Sequence, residues 1–129
     1  MQQIIIPVSF GELIDKICIL EIKLNNISNE IKLFNIEHEY KLLLVIRDKI
    51  ILTNEQLELL IILKLELYNI NNRLWNIEDK IRIKEKNKVF DKEFLKLARS
   101  VYIFNDRRSD IKKQINVIFC SDIIEEKSF

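Results

Sequence analysis

The chain has 129 residues, of which 21 are basic and 20 acidic, so its formal net charge at neutral pH is +1. A chain of this length is expected to fold as one domain, residues 1–129, that buries a core without disulfides or a structural metal. Its balanced charge argues against binding to nucleic acid or membranes through an overall field, and its single glycine and single proline argue against folds with many tight turns.

The main feature of the sequence is a repeat of apolar residues at steps of three and four. The repeat runs through residues 13–34, 60–81 and 94–118, and it places the apolar side chains of each stretch on one helix face. The connections between the stretches are short, which favours antiparallel neighbours. We therefore predict an all-α fold, an antiparallel bundle of about four helices in which the long helices pack as in a coiled coil.

The N-terminal part of the chain contains an extended segment followed by a helix. Residues 1–8 are predicted to be extended, because Pro7 disfavours a helical conformation at the residue before it. Ser9 and Glu12 have the spacing of a capping box, in which each side chain accepts a hydrogen bond from the other residue's backbone amide. Helix 1 is therefore predicted over residues 10–34.

Three further helices and a tail follow in the sequence. Thr53 and Gln56 form a second capping box, and Asp91 is a typical N-cap residue. The tail packs back through apolar residues that include Phe129, or it frays. The predicted elements are helix 2 (residues 36–52), helix 3 (54–86), helix 4 (92–119) and the C-terminal tail (120–129).

Helix 1 is apolar on nearly every side, which indicates that it is buried on every side. Such a helix is either the central helix of the chain or a helix shared with a second subunit. Helix 3 also carries more apolar residues than one face requires. We therefore predict a homo-oligomer, most simply a two-fold symmetric dimer, with a wide monomer core as the alternative. The extra apolar residues are Phe10, Ile14, Cys18 and Ile22 on helix 1, and Ile61, Leu65, Tyr68 and Trp75 on helix 3.

The two cysteines indicate a reducing compartment. Cys18 and Cys120 lack the spacing of a metal site, and Cys18 lies among apolar residues, as a buried reduced thiol would. The sequence shows neither a secretory leader nor an apolar stretch long enough to span a membrane. We therefore expect a cytoplasmic protein with no membrane partner. Abundant isoleucine, asparagine and lysine beside a single alanine indicate an AT-rich bacterial or viral genome. If the protein is viral, we expect it in the host cytoplasm.

No motif for catalysis or cofactor binding is present. Gly11 is the only glycine, so no glycine-rich loop can cradle a nucleotide, and His38 is the only histidine, so no histidine zinc site is expected. Glu12 and Asp15 have the spacing of magnesium ligands one helical turn apart, but capping already explains Glu12. We expect no metal and no cofactor, the catalytic residues are unknown, and whether the chain is an enzyme stays open.

The most unusual polar residue is Arg108, which stands on the apolar stripe of helix 4. A charge in that position needs a partner, for which Glu21, Glu78 and Asp79 are the candidates. One interpretation is a buried salt-bridge network that fixes helix register or subunit pairing. The other is a pocket in which Arg99 and Arg108 bind a phosphate or carboxylate. The candidate residues for either are Lys16, Glu21, Glu78, Arg99, Tyr102, Asn105, Asp106 and Arg108.

Several strings of the sequence resemble a known family. They are Ile-Pro-Val-Ser-Phe-Gly-Glu-Leu-Ile-Asp-Lys (residues 6–16), Leu-Ala-Arg-Ser-Val-Tyr (97–102), Asn-Asp-Arg-Arg (105–108) and the closing Glu-Glu-Lys-Ser-Phe. The chain is similar in these strings to small uncharacterised helical proteins of bacteria and viruses, which usually end in tyrosine where this chain has Phe129. The resemblance implies no activity. It does imply an association with sugar or surface-polysaccharide synthesis.

Two functional hypotheses follow. The leading one is a non-catalytic helical module for oligomerisation or for binding another protein. The alternative is a small all-α enzyme or binding protein for an anionic metabolite, in which Lys16, Arg99 and Arg108 bind the anion and Glu21 or Tyr102 acts as an acid–base or orienting group. Nucleic acid is not an expected partner, because the basic stretches at residues 80–88 and 107–113 are interspersed with acids.

Overall fold

A computed structural model describes residues 2–128 of the chain, which form four α-helices. No β-strand occurs between these residues, and the helices pack against one another, so the predicted all-α bundle is confirmed. Phe129 lies outside the described residues, and so does its predicted packing. The helices are α1 (Phe10–Asn26), α2 (Glu30–Asp48), α3 (Asn54–Lys86) and α4 (Lys92–Ile118).

The boundary between the first two helices differs from the prediction. The predicted helix 1 continued to residue 34, whereas α1 ends at Asn26 and α2 already begins at Glu30. The break occurs because Ile27 is extended and the Asn29 side chain accepts a hydrogen bond from the amide of Lys32 (3.0 Å), which starts a new helix. The prediction of one long helix was wrong, because the apolar spacing continues in phase across this break.

The later boundaries agree with the sequence prediction to within a few residues. The Thr53 hydroxyl accepts from the Gln56 amide (3.1 Å) and the Gln56 side chain accepts from the Thr53 amide (3.0 Å), so this capping box is confirmed. Asp91 caps α4 by accepting from the Phe94 amide at 2.9 Å. The second helix ends at Asp48 instead of residue 52, and a short connection leads to α3.

The central helix of the bundle is α1. It contacts each of the other three helices, α3 and α4 contact each other, and within residues 2–128 the backbone of α2 approaches only α1. Ile14, Ile17, Cys18 and Ile22 of α1 are almost completely buried. The apolar character of α1 on every side is therefore explained inside one chain. The extra apolar residues of α3 are not explained in this way, because Ile61 and Leu65 are exposed.

The beginning of α1 lies unusually close to α4. The Gly11 amide donates to the Asn116 side-chain oxygen at 2.6 Å. A Cβ atom built on Gly11 would come within 2.5 Å of the carbonyl oxygen of Lys112. Only glycine allows the two backbones to approach this closely. Next to this contact the rings of Phe10 and Phe119 pack edge to face, with their centres 5.2 Å apart.

None of the four helices is both long enough and apolar enough to cross a lipid bilayer, as judged over residues 2–128.

Candidate functional site

A buried polar cluster joins α1, α3 and α4, and Asp15 is its centre. The carboxylate of Asp15 has no exposed surface. The Arg108 Nε donates to both of its oxygens (3.0 and 3.1 Å), and Arg108 Nη2 donates to Oδ2. The Asn71 side chain of α3 donates to Oδ1 at 2.8 Å. One charge on α1 is thus compensated by donors from two other helices, which is the arrangement that a buried carboxylate requires.

Lys112 extends this cluster toward the start of α1. Its Nζ pairs with the Glu12 carboxylate and lies 3.7 Å from Asp15. The capping box predicted at Ser9 is therefore only half formed. The Ser9 hydroxyl does accept from the Glu12 amide (3.0 Å), but the Glu12 carboxylate pairs with Lys112 instead of the Ser9 amide. A lysine partner provides a charge-assisted hydrogen bond, which is stronger than a bond to a neutral amide.

The predicted partners of Arg108 were wrong. The structure pairs it with Asp15 and not with Glu21, Glu78 or Asp79. The hydrogen bond to Asp15 raises the pKa of Arg108, so the guanidinium stays charged in the bundle. The sequence does contain a sign of this pairing. Asp15 lies between Ile14 and Lys16 on a helix that is apolar on nearly every side, so its carboxylate is expected near the core, where it needs a cation.

Glu21 belongs to a second, separate polar cluster between α1, α2 and α3. It accepts hydrogen bonds from the Tyr40 hydroxyl (2.9 Å) and from Lys64 Nζ (3.3 Å). Burial, and next the hydrogen bond to Glu21, raise the pKa of Tyr40 to about 12. The predicted network that contained both Glu21 and Arg108 is therefore divided between two places in the bundle.

The other predicted residues are dispersed as well. Asn105 accepts a long hydrogen bond from Arg108 Nη1 (3.5 Å), and these two are the only predicted residues that a hydrogen bond joins within the described chain. The rest occupy the surface or its edge: Lys16 near Glu12 (3.9 Å), Glu78 near Arg82 (3.9 Å), Asp106 paired with Lys127 (2.8 Å), and Arg99 and Tyr102 exposed.

A cleft of about 570 Å³ lies between α1, α3 and α4, directly beside the buried polar cluster. Its charged residues are two arginines and two acids, Arg82, Arg108, Glu78 and Asp79, and Arg108 is already paired with Asp15. The cleft therefore has no excess of positive charge that would attract an anion. Its remaining lining residues are Ile19, Ile22, Asn71, Leu74, Trp75 and Asn105.

The first backbone amides of α1 do not form an anion site either. The amides of Phe10, Gly11 and Glu12 donate to the side chains of Ser121 (3.1 Å), Asn116 (2.6 Å) and Ser9 (3.0 Å). A helix N-terminus binds phosphate through amides that lack such partners. The protein itself satisfies these three amides.

The C-terminal tail packs back onto the bundle through polar contacts. The Ser9 hydroxyl donates to the Glu125 carboxylate (2.9 Å to Oε2), and Lys113 pairs with Glu126 at 2.7 Å. The prediction that the tail packs back is thus correct over residues 120–128. Of the apolar residues predicted to anchor the tail, Ile123 is half-buried, Ile124 is 41% exposed, and Phe129 lies outside the described residues.

An apolar stripe on α3 faces solvent. We use the name α3 stripe for Leu57, Ile61 and Leu65, which lie one helical turn apart and are 42%, 59% and 60% exposed. The buried residues of this half of α3 lie on another face. The stripe borders a groove of about 640 Å³ between α1, α2 and α3. We call this the Tyr groove, and it is lined by Glu21, Leu24, Asn25, Tyr40, Ile61, Lys64, Leu65 and Tyr68.

The described residues include no candidate metal site, and comparisons with known proteins assign the chain to a family. No group of three histidine, cysteine, aspartate or glutamate side chains in residues 2–128 is placed to hold a metal ion. The chain matches no curated protein and no solved structure. The model of one family of unknown function does match residues 4–129. The chain therefore belongs to this family, DUF6165.

Proposed function

We propose that the protein is a non-catalytic helical module that associates with a second copy of itself through the α3 stripe. The observation that carries this proposal is the exposure of Ile61 and Leu65, each about 60% accessible and only one helical turn apart. The flanking residues Leu59 and Ile62 are also exposed, at about half of their surface. An apolar patch of this kind is typical of an interaction surface.

The energetic argument favours association over exposure. Complete burial of a fully exposed leucine or isoleucine side chain contributes about 1.5–3 kcal/mol, and the residues of the α3 stripe, which are 42–60% exposed, each contribute about half of that. Three residues of the α3 stripe on each of two copies can therefore offset much of the cost of association, which is on the order of 4–15 kcal/mol. In a dimer with two-fold symmetry both copies contribute the same surfaces to the interface.

The alternative, an enzyme or binding protein for an anionic metabolite, has less support. Its proposed anion ligands, Lys16, Arg99 and Arg108, do not converge: Lys16 and Arg99 are exposed, and Arg108 is engaged by Asp15. The cleft beside Arg108 carries balanced charges. The association with polysaccharide synthesis stays a prediction from the family resemblance.

Light scattering tests the proposal with a matched pair of variants. Leu65 and Leu95 are both 60% exposed, but only Leu65 lies on the α3 stripe. We expect the wild type and Leu95→Glu to have twice the mass of one chain, and Leu65→Glu to have the mass of one chain. A monomeric wild type at tens of micromolar, or a Leu65→Glu variant that stays dimeric, would overturn the proposal.

A further inference from the structure

The residues that precede α1 form an apolar segment with no partner in the described structure. Residues 2–8, which we call the N-terminal arm, are not helical, and no hydrogen bond joins them to another part of residues 2–128. Ile4, Ile5 and Ile6 are exposed, Ile5 to 90%. Three consecutive exposed isoleucines are unfavourable in water. The arm is therefore an uncovered apolar segment of the chain, as the α3 stripe is an uncovered apolar face.

The extended, apolar arm has the chemistry of a segment that binds in a groove with aromatic and aliphatic walls, such as the Tyr groove. Pro7 fixes its own φ angle and favours an extended conformation at Ile6, so the arm loses little conformational freedom on binding. Extended segments with a proline commonly bind in grooves lined by aromatic side chains. The groove has Tyr40 and Tyr68 in its walls, with Ile61 and Leu65 of the α3 stripe at its border. An arm bound in this groove would bury its own isoleucines together with Ile61 and Leu65.

The arm of the same chain is poorly placed to fill this groove. The arm joins the bundle at Ser9, whereas Glu21, the first residue of α1 that lines the groove, lies twelve residues further along the helix, which corresponds to about 18 Å. Ile5 is four residues from Ser9 and reaches at most about 14 Å. In the described chain the arm leaves the groove empty and stays exposed. A second copy is not subject to this limit.

We propose that the N-terminal arm of one copy binds in the Tyr groove of a second copy, and that two such exchanges about a two-fold axis build the dimer. The proposal rests on the self-association proposed above, and it names what covers the α3 stripe. Both copies contribute an arm and a groove, so the exchange is reciprocal and closes after two chains. Further growth into a filament is not expected.

The first test uses an arm variant of the full chain, Ile4→Ser/Ile5→Ser/Ile6→Ser. Its helices should remain intact, because the arm has no hydrogen bond to them, and circular dichroism checks this point. The dissociation constant of the dimer should rise on the order of tenfold for each isoleucine removed. Ile83→Ser is the control, since Ile83 is 59% exposed and lies outside the N-terminal arm, the α3 stripe and the Tyr groove. A wild-type dimer that the arm variant leaves unchanged would overturn the arm exchange and leave the proposed function standing.

The second test mixes two variants that are each defective in one part. The arm variant retains the groove, and Leu65→Glu retains the arm, so one exchange is still available between them. We expect each variant alone to be monomeric and the mixture to form a one-to-one heterodimer, measured by light scattering or by fluorescence transfer between labelled chains. If the mixture stays monomeric, the stripe binds in another way and the arm exchange is wrong. A monomeric wild type would overturn both proposals together.

Discussion

Arg108 of α4 and Asp15 of α1 form an ion pair in which the Asp15 side chain has no contact with solvent and the Arg108 side chain is 29% exposed. The pair is therefore unequal: the acid depends on its partner much more than the base does. Breaking a buried pair by removing one partner leaves an uncompensated charge in the core. This inequality determines what substitutions on either side should do.

Arg108→Leu should lower the free energy of unfolding by about 3–5 kcal/mol, because it leaves the buried Asp15 carboxylate without its main partner. Arg82→Leu is the matched control. It breaks an exposed contact with Glu78 and should cost at most about 1 kcal/mol. Urea unfolding measures both. The double variant Asp15→Leu/Arg108→Leu should recover part of the loss, since it removes both charges. Equal effects of Arg108→Leu and Arg82→Leu would contradict the structural role of the pair.

Gly11→Ala should destabilise the protein by about 1–3 kcal/mol, because the added methyl group collides with the Lys112 carbonyl of α4. The sign of the effect is informative. In an open helix the same substitution stabilises by roughly 1 kcal/mol, since alanine is the better helix former. Thermal unfolding of the two proteins gives the answer. A higher melting temperature for Gly11→Ala would show that α1 and α4 do not approach as closely as described.

The helices could be predicted from the sequence because their apolar period is almost uninterrupted. The break between α1 and α2 could not, since Ile31 and Phe34 continue the spacing of α1 although they lie on α2 and are mostly exposed. The feature that separates the two helices is the cap at Asn29, and asparagine occurs at many other places in this chain. A periodic pattern reports the face of a helix and not where the chain turns.

The polar cluster could be predicted only in part, for a different reason. The position of Arg108 on an apolar stripe showed that it needs a partner, and this holds in the structure. Which acid provides it depends on how far α4 is shifted along α1. That shift is fixed by the contact of Gly11 with Asn116, more than 100 residues away in the sequence. No pattern within a single helix contains this information.

The two cysteines should differ strongly in their reactivity toward a thiol reagent. Cys18 is completely buried and Cys120 is exposed, and both are free thiols. Burial raises the pKa of the Cys18 thiol to about 12, so almost none of the reactive thiolate exists near neutral pH. At pH 8 we expect one thiol per chain to react rapidly, and the second only as the protein unfolds. Cys120→Ser should abolish the rapid phase, and a rapid phase that persists in this variant would contradict the burial of Cys18.

Stability should decrease in alkaline solution, and Tyr40 and Cys18 both contribute to this decrease. The folded protein raises the pKa of Cys18 from 9.0, and that of Tyr40 from 10.0, to about 12. The folded state therefore binds these protons more tightly than the unfolded chain does. Their contribution is complete below pH 9 and is lost as the pH rises from 9 toward 12.

Urea unfolding at intervals between pH 8 and 11 should show this fall in stability, and a smaller fall in Tyr40→Phe/Cys18→Ala. Tyr102→Phe is the control variant, since it removes a hydroxyl from a tyrosine that is 55% exposed. A double variant with the wild-type pH profile would show that neither group is protected by the bundle.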